Sequence, residues 1–418
     1  MKSLVSMLSA CAGVSAFAAI PQVSNLSIVQ QPSRTVVVSY DLEQVEGSDS
    51  VDPCVVTVDF KVNGESIGAV NFTNETGDVN RLVDPGAGRK ILWDPCATWP
   101  GRIFNKGEFS AELTLWAKAN PPKYLVKNLE TLDVADDRYY AEAEAIPGGV
   151  TDRLYKSKRL VFFRVPAKGV TWKQGDPDSS GTNWYVARYV SFSQDYWFGV
   201  YEFTRAQAHY ATRNWEAPLC ASVEDAEDYR PYAGGGVERQ LIRPVEDGWP
   251  TTGRETATGW IGEFRKTLSL DVDIPTYAEW EYANRAGQEG AYITPEFNQE
   301  FSKRVWSVYN SDGELKEVGT RLPNNWGLYD TTGHAREWVL DWAQVRNQDP
   351  VWDPKGCTQE ESAKEAGDNL IFSCGGAYLD DEGSLNAWKT NEHVKMRLSP
   401  ASFALSSCVQ PFGSQTGS

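Results

Sequence analysis

The sequence predicts two folded parts, an all-β domain followed by a larger, irregular α+β domain. The chain has 418 residues, which is more than one ordinary domain contains. Short runs of alternating apolar and polar residues fill its N-terminal third, whereas helix-start motifs occur only in the later part. We expect a β-sandwich over residues 19–132, a connecting segment over 133–158, the α+β domain over 159–410 and a tail over 411–418.

The start of the chain has the composition of a secretory signal peptide over residues 1–18. Lys2 precedes an apolar stretch, and Ala16-Phe17-Ala18 forms a small-x-small cleavage site. We expect a protein that is secreted, periplasmic or held at the cell surface. A lipoprotein signal ending at Cys11 is the alternative, although the apolar run before it is short. No later run is long and apolar enough to cross a bilayer.

The formal net charge of −17 argues against nucleic acid as a partner, because phosphates would repel the chain. The charge fits an exported acidic protein, and a generic solubilising surface explains it equally well.

The cysteines predict disulfides, because six of the seven remain after removal of the signal. Cys54 and Cys96 are alone in the N-terminal third, so we expect them to pair, and Cys374 and Cys408 are further candidates. The chain has no C-x-x-C motif and only three histidines. A His-rich zinc or non-haem iron site is therefore not expected.

Three segments of the first part alternate in the manner of half-buried strands, at residues 36–40, 55–60 and 111–116. Asn63-Gly64 predicts a type I′ hairpin turn between two such runs. About seven short strands in roughly a hundred residues are typical of an immunoglobulin- or fibronectin-like sandwich.

The second part mixes strands with helices that have recognisable starts. Residues 160–165 and 197–201 predict strands. Thr204 and Thr276 each begin a capping box, and Gly287 is placed to end the second of these helices. A third helix is predicted over residues 258–266.

Residues 326–342, WGLYDTTGHAREWVLDW, form the densest stretch of the chain. Asp330 and Glu337 frame an irregular loop, and two carboxylates with freed backbone carbonyls suit a hard cation. The alternative is a buried, tryptophan-rich turn whose acids are only hydrogen-bonded.

Four blocks of the second part resemble the formylglycine-generating, or sulfatase-modifying factor, family. They are F-G-V-Y-E-F-T at 198–204, I-P-T-Y-A-E-W-E-Y-A at 274–283, W-G-L-Y-D…E-W at 326–338 and C-G-G-A-Y at 374–378. The resemblance covers about residues 162–405 and implies an irregular α+β fold of the C-type-lectin-like kind. It also implies a structural calcium ion, held by the side chains of Asp330 and Glu337 and by the carbonyls of Thr331, Gly333 and Ala335.

The oxidase centre of this family does not carry over to the chain. Its enzymes bind copper through two cysteines just after the G-G-S-Y block, and copper(I) requires such soft ligands. Residues 379–390 contain no cysteine, so copper is not expected. In addition, His334 and Arg336 stand where the family has Asn and Trp.

We therefore expect a non-oxidase relative that binds a protein, peptide or glycan through its lectin-like domain. A formylglycine-generating enzyme is the alternative, and a structural cell-envelope component is a weaker one. The residues of the expected binding surface are His334, Arg336, Tyr378, Asp380, Asp381, Trp388 and Arg397.

Overall fold

A computed structural model of the chain describes residues 21–43, 52–104, 108–176, 186–216, 218, 220, 222–232, 259–289, 297–342, 346–357, 371–381, 385, 391–394, 403–404 and 408–409. The predicted signal peptide, Cys11 and the C-terminal tail lie outside these ranges. Within them, no helix has the length and apolar character needed to cross a membrane.

The chain divides into two compact units. The first contains residues 1–67 and 74–120, and the second contains residues 68–73 and 121–418. The sequence places the boundary at residue 132, twelve residues later. The difference arises because residues 121–132 contain a strand that pairs in a sheet of the second unit.

The first unit consists of two antiparallel sheets. Its strands are β1 Gln22–Gln30, β2 Val36–Glu43, β3 Cys54–Val62, β4 Glu65–Ser66, β5 Thr76–Gly77, β6 Leu82–Val83, β7 Gly86–Trp93 and β8 Phe109–Ala117. One sheet has the order β1-β2-β7-β5, and the other has the order β4-β3-β6 with β8 also paired to β3. Short 3-10 turns lie at Ala69–Asn71, in the second unit, and at Pro95–Ala97.

Alternation in the sequence sets the inward faces of these sheets. Val36, Val38 and Tyr40 are buried along β2, and their neighbours are less so. The two-residue turn between β3 and β4 has both central residues at positive φ, 52° for Asn63 and 84° for Gly64, which confirms the predicted type I′ turn.

Aromatic side chains join the two sheets of the first unit. Phe60 of β3 stacks on Trp93 of β7 with 4.6 Å between ring centroids, and Phe109 of β8 lies 5.6 Å from the same indole. The unit is therefore all-β with one shared core. An immunoglobulin- or fibronectin-like topology remains a prediction.

The expected Cys54–Cys96 disulfide is corrected, because both residues carry free thiols. Cys54 begins β3, whereas the turn that contains Cys96 follows Trp93, which packs on Phe60 near the other end of that strand. Six residues of strand span about 20 Å. A disulfide requires Cα atoms within about 7 Å.

The second unit contains the remaining strands and the helices. Its strands are β9 Tyr124–Asn128, β10 Arg138–Tyr140, β11 Arg159–Val165, β12 Thr171–Gln174, β13 Arg188–Ser191, β14 Tyr196–Gly199, β15 Val272–Asp273, β16 Arg336–Trp342, β17 Val351–Trp352, β18 Ile371–Cys374, β19 Asn391–Val394, β20 Phe403–Ala404 and β21 Cys408–Val409. Its helices are α1 Arg205–Thr212, α2 Gly259–Leu268, α3 Tyr277–Asn284 and α4 Phe297–Arg304, with 3-10 turns at Val134–Asp136, Ala143–Ala145, Arg153–Lys156 and Glu224–Glu227.

Three sheets organise this unit. Their strand orders are β10-β9-β11-β14-β21-β15, β19-β18-β16-β20 and β12-β13-β17. The expected connecting segment at 133–158 is folded into the unit, since its strand β10 pairs with β9. The described residues are thus mostly β with few helices.

Both predicted capping boxes are present and fix the helix starts. Thr204 caps α1 and Thr276 caps α3, each with its side chain accepting from the third helical N–H. Gly287 follows α3 at φ 74° and donates to the carbonyl of Tyr282, as expected for a residue that ends a helix. The third helix is confirmed as α2.

The core of the second unit lies between the six-stranded sheet and α3. Phe163 and Phe198 come from that sheet, and Trp280 comes from the helix. Trp326 packs against this core, with its ring 5.3 Å from that of Tyr282. This packing holds the start of the 326–342 stretch in place.

Candidate functional site

The loop between Tyr329 and β16 reverses direction through three left-handed residues. Asp330, Gly333 and His334 have φ values of 57°, 75° and 61°. Gly333 cannot be replaced without strain, because a Cβ there would lie 2.4 Å from the carbonyl oxygen of Trp306. The loop therefore presses against residues 305–306 and turns its polar side chains inwards.

Asp330 is only 4% exposed, and its two oxygens have different surroundings. Oδ2 accepts a hydrogen bond from the backbone N–H of Gly319 at 2.5 Å. Oδ1 is buried and has no hydrogen-bond partner. Burial raises the pKa of this carboxyl group, and the nearby His334 opposes that shift.

His334 is completely buried and joins two parts of the unit. Its Nδ1 lies 2.5 Å from Oε2 of Glu202, and its Nε2 lies 2.9 Å from the carbonyl oxygen of Lys316. Burial alone would lower the pKa of the imidazole, but the Glu202 carboxylate raises it. The other oxygen of Glu202, Oε1, accepts from the N–H of Ala335 at 3.1 Å.

Glu202, Asp330 and His334 thus form a buried cluster. Their ligand-type atoms all lie within 4.8 Å of one another. Glu202 was not among the residues predicted from the sequence, although it belongs to the F-G-V-Y-E-F-T block. A single carboxylate between Tyr201 and Phe203, in an otherwise apolar run, was the available signal.

Both carboxylates of the predicted calcium site are buried. The carboxylate of Asp330 belongs to the buried cluster. Glu337 is buried on β16, where it lies opposite Cys374 of the neighbouring strand. Burial is the main cause that raises the pKa of the Cys374 thiol, and the carboxylates of Asp341, Glu281 and Glu337 add to it.

Two of the carbonyl groups predicted to bind calcium lie near Gly375, the residue that follows β18. A Cβ on Gly375 would be 3.3 Å from the oxygen of Thr331 and 3.9 Å from that of Ala335. Gly333 donates its N–H to the carbonyl of Gly375 at 2.7 Å. The carbonyl oxygens of Thr331 and Ala335 therefore both lie near Gly375.

The predicted binding surface is only partly at the surface. His334 is buried, so we no longer place it there. Arg336 donates through Nη2 to both oxygens of Asp380, at 2.9 and 3.0 Å. Tyr378 is half-buried and Asp381 is exposed. The other two predicted residues, Trp388 and Arg397, lie outside the described residues.

Three exposed apolar side chains that the sequence did not single out lie next to this surface. Val308 donates its backbone N–H to the carbonyl of Asp380 at 3.1 Å. Its side chain and those of Tyr309 and Leu379 are exposed by 47%, 72% and 48%. We call these three side chains the apolar patch. Exposed apolar clusters of this kind are common at interaction sites.

The Cys374–Cys408 disulfide is also corrected, because Cys374 is a free thiol. Cys374 ends β18, whereas Cys408 begins β21 in a different sheet. Burial is the first cause that raises the pKa of Cys374 well above its usual range. The side chain of Cys408 lies outside the described part of the chain.

A family profile described as "Sulfatase-modifying factor enzyme 1-like domain" matches residues 190–402. Chaperone protein LppX of Paenibacillus barcinonensis is 29% identical over 86 residues, and the match covers 16% of this chain and 31% of that protein. Formylglycine-generating enzyme of Mus musculus is 29% identical over 113 residues, covering 23% of this chain and 30% of the enzyme. The chain thus spans about a third of the length of these curated relatives.

Solved structures with similar folds cover 60% of the chain. "Treponema denticola variable protein 1" is 16% identical with a TM-score of 0.44, and 96% of its own chain is covered. PvdO from Pseudomonas aeruginosa is 16% identical with a TM-score of 0.40, and 94% of its chain is covered.

Proposed function

Because the chain belongs to the sulfatase-modifying factor family, we propose that it is an exported, non-oxidase member that binds a protein, peptide or glycan. The apolar patch is the observation that carries this proposal, since it is exposed, contains an aromatic ring and adjoins a hydrogen-bonded turn. The alternative is a formylglycine-generating enzyme that oxidises a sulfatase cysteine.

The cysteines support the non-oxidase assignment. Residues 379–390, where the resemblance would require a cysteine pair, contain none. Cys374 is buried with a raised pKa, whereas a metal-binding or reactive cysteine must be a thiolate. Cys357 lies beside Trp342, at the opposite end of β16 from the residue that pairs with Cys374. Five strand residues separate these ends, or roughly 16 Å.

The support of the apolar patch is an ordered turn at residues 377–380. Oδ2 of Asp380 accepts from the N–H of Ala377 at 2.8 Å and from Arg336 at 3.0 Å. Arg336 begins β16, so the turn is attached to a central strand of its sheet. A preorganised surface loses less entropy when it binds a ligand.

Within this patch, Tyr309 is the best candidate for the main contact. It is the most exposed of the three side chains, and tyrosine offers a rigid apolar face with a polar end. Asp381 is exposed on the adjoining turn and would favour ligands with a positive or hydroxyl-bearing group near the ring.

Arrays of glycans and peptides test this binding function. We expect the full chain to bind a defined subset and Tyr309→Ser to weaken that binding by about tenfold or more, as for a central aromatic contact. Tyr189 on β13 is 54% exposed and provides the matched control. Equal losses in Tyr309→Ser and Tyr189→Ser, or no binding to any array, would count against the proposal.

A direct assay distinguishes the enzyme alternative. The chain is incubated with copper, oxygen and a peptide that contains the sulfatase sequence C-x-P-x-R, and any aldehyde is labelled with a hydrazide. We expect no labelling above a protein-free control. Labelling that depends on the protein and disappears in Cys374→Ser would establish the oxidase instead.

We also propose the structural calcium ion that the resemblance implies, held by the side chains of Asp330 and Glu337 and by the carbonyls of Thr331, Gly333 and Ala335. The space beside Gly375 supports it, because a side chain there would fill the region on which two of these carbonyls converge. Oxygen ligands of this kind suit calcium, and an ion that binds only the folded state stabilises it.

Melting temperatures measured in calcium and in chelator test this ion. We expect a higher melting temperature in calcium for the wild type and no difference for Glu337→Gln. Asp381→Asn, which removes an exposed carboxylate, is the control and should keep the wild-type response. A wild type that does not respond to calcium would rule out the ion.

A further inference from the structure

We propose that Glu202, Asp330 and His334 form a binding site for a divalent transition metal ion, with zinc as the ion to test first. This site shares Asp330 with the proposed calcium ligands, takes its other two ligands from Glu202 and His334, and does not depend on the proposed binding function. Imidazole nitrogen and carboxylate oxygen are ligands that zinc and manganese accept.

The hydrogen bonds around the cluster orient one atom of each side chain inwards. Asp330 presents Oδ1, Glu202 presents Oε2 and His334 presents Nδ1, because the second polar atom of each is already bound to the backbone. The backbone groups that hold these second atoms are the N–H of Gly319, the N–H of Ala335 and the carbonyl of Lys316. Outer contacts of this kind orient the ligands of known metal sites.

An unpartnered oxygen points to a missing cation. Oδ1 of Asp330 belongs to a side chain that is 96% buried (4% exposed), yet no hydrogen-bond donor reaches it. Buried carboxylate oxygens without a partner are costly and call for an explanation. A metal ion between this oxygen and the other two inward atoms would supply the partner.

The groups of the cluster are also compatible with such an ion. Two carboxyl groups face one imidazole, and burial raises the pKa of both carboxyl groups, to about 7 for Glu202. A divalent ion with a neutral imidazole balances both carboxylates. One ligand atom of each residue lies within 4.8 Å of the other two. Tetrahedral zinc ligands about 2.1 Å from the ion are roughly 3.4 Å apart, so Nδ1 of His334 and Oε2 of Glu202 must separate on binding.

The cations nearest to Asp330 already have other partners. Lys156 and Arg321 both act on its carboxyl group. However, Nζ of Lys156 forms an ion pair with Glu317 at 3.2 Å, and the guanidinium of Arg321 lies 3.6 Å from the centre of the Trp306 ring. Neither donates a hydrogen bond to Oδ1.

In the metal-free protein a proton occupies the contact between His334 and Glu202. The Nδ1–Oε2 distance of 2.5 Å is shorter than two ligands of one ion would adopt. Metal binding therefore requires loss of this proton, as is usual for histidine ligands. Because all three side chains are buried, the ion should enter most readily during folding.

The experiment unfolds the full chain in chelator and refolds it with zinc, manganese or calcium. Metal content per chain and melting temperature are then measured. We expect about one zinc or manganese ion per chain and a higher melting temperature than in chelator. A wild type that refolds with these ions present but takes up neither zinc nor manganese would overturn the site. The cluster would then be held by hydrogen bonds alone.

Variants identify the ligands. Asp330→Asn keeps the size of the side chain and removes its negative charge. We expect this variant to fold and to bind zinc at least about 100-fold more weakly. Loss of an outer contact to a metal ligand alone costs about 10–100-fold in affinity. His334→Asn should lose zinc in the same way. Glu337→Gln, which changes the calcium position, should keep it. Unchanged zinc binding in Asp330→Asn would overturn the assignment.

Discussion

Two buried charge clusters in the second unit are built in different ways. Glu281 and Arg285 lie four residues apart on α3, are 0% and 1% exposed, and pair one carboxylate with one guanidinium. Glu202, Asp330 and His334 come from loops far apart in sequence and combine two carboxylates with one imidazole. The first cluster pairs one acidic with one basic group, whereas the second has more acidic than basic groups.

The two clusters differ in their residue types and in what their hydrogen bonds hold. In the first cluster, Arg285 donates to the carbonyl of Gly175 at 2.9 Å, and Glu281 accepts from the N–H of the same residue at 3.0 Å, so the pair stabilises the position of a loop. Each cluster has one carboxylate oxygen without a hydrogen-bond donor, Oε2 of Glu281 and Oδ1 of Asp330. Only the second cluster combines carboxylates with an imidazole, which is the ligand set that a transition metal accepts.

Removal of one partner from the pair of Glu281 and Arg285 should have the largest effect. Glu281→Gln leaves a buried guanidinium without its carboxylate, and we expect the free energy of unfolding to fall by about 3–5 kcal/mol. Urea denaturation measures the change. Glu263→Gln breaks an exposed pair with Lys266 on α2 and serves as the control, with little expected effect. Similar losses in both variants would contradict the distinction.

The cluster of Glu202, Asp330 and His334 can be disturbed through the hydrogen bond from the backbone N–H of Gly319 to Asp330. Gly319 has φ +66°, and a Cβ there would lie 2.3 Å from the ring of Tyr201. We expect Gly319→Ala to displace the N–H that holds Asp330 and to weaken zinc binding.

Gly313 provides the matched control for this change. It has φ +72°, and a Cβ there would meet no other part of the chain within 4 Å, so Gly313→Ala carries only the cost of the left-handed backbone. We expect Gly319→Ala to lose about 1–3 kcal/mol more than Gly313→Ala because of the additional overlap. Equal stability and equal zinc binding in the two variants would argue against a role for the Gly319 contact.

The smallest effect concerns a half-buried acid of the first unit, which lies outside both clusters. Burial raises the pKa of Glu75 from 4.5 to about 7. Between these pH values the folded state holds a proton that the unfolded state releases, so stability decreases as pH rises through this window.

Glu75→Gln should therefore flatten the pH dependence and be more stable than the wild type at pH values above about 7. Thermal unfolding of the full chain, measured in steps across the window, gives the comparison. Glu65→Gln removes an exposed carboxyl group of the same unit and should retain the wild-type slope. A wild type whose stability does not change across the window would contradict this assignment.

Local features of the fold were predictable from the sequence. The turn at Asn63-Gly64 and the capping boxes at Thr204 and Thr276 depend on residues within four positions of each other, and all three are confirmed. The alternating strands of the first unit were predictable for the same reason, because each residue's face follows from its neighbours.

Features that depend on distant residues were not predictable in the same way. Glu202 and His334 are 132 positions apart, so no local pattern indicates their contact. Cys54 and Cys96 were predicted to form a disulfide because they are the two cysteines of the N-terminal third. In the fold they lie near opposite ends of β3, too far apart to bond. His334 was placed at the surface because it stands where the resembling family has Asn, but its ring is buried and contacts Glu202, which is distant in sequence.

X-ray absorption spectroscopy of the zinc-loaded chain tests the metal site most directly. We predict a first shell of one imidazole nitrogen and carboxylate oxygens at about 2.0–2.2 Å, which is lost in Asp330→Asn. A shell that contains sulfur, or one that lacks imidazole and is unchanged in Asp330→Asn, would contradict the assignment of Glu202, Asp330 and His334.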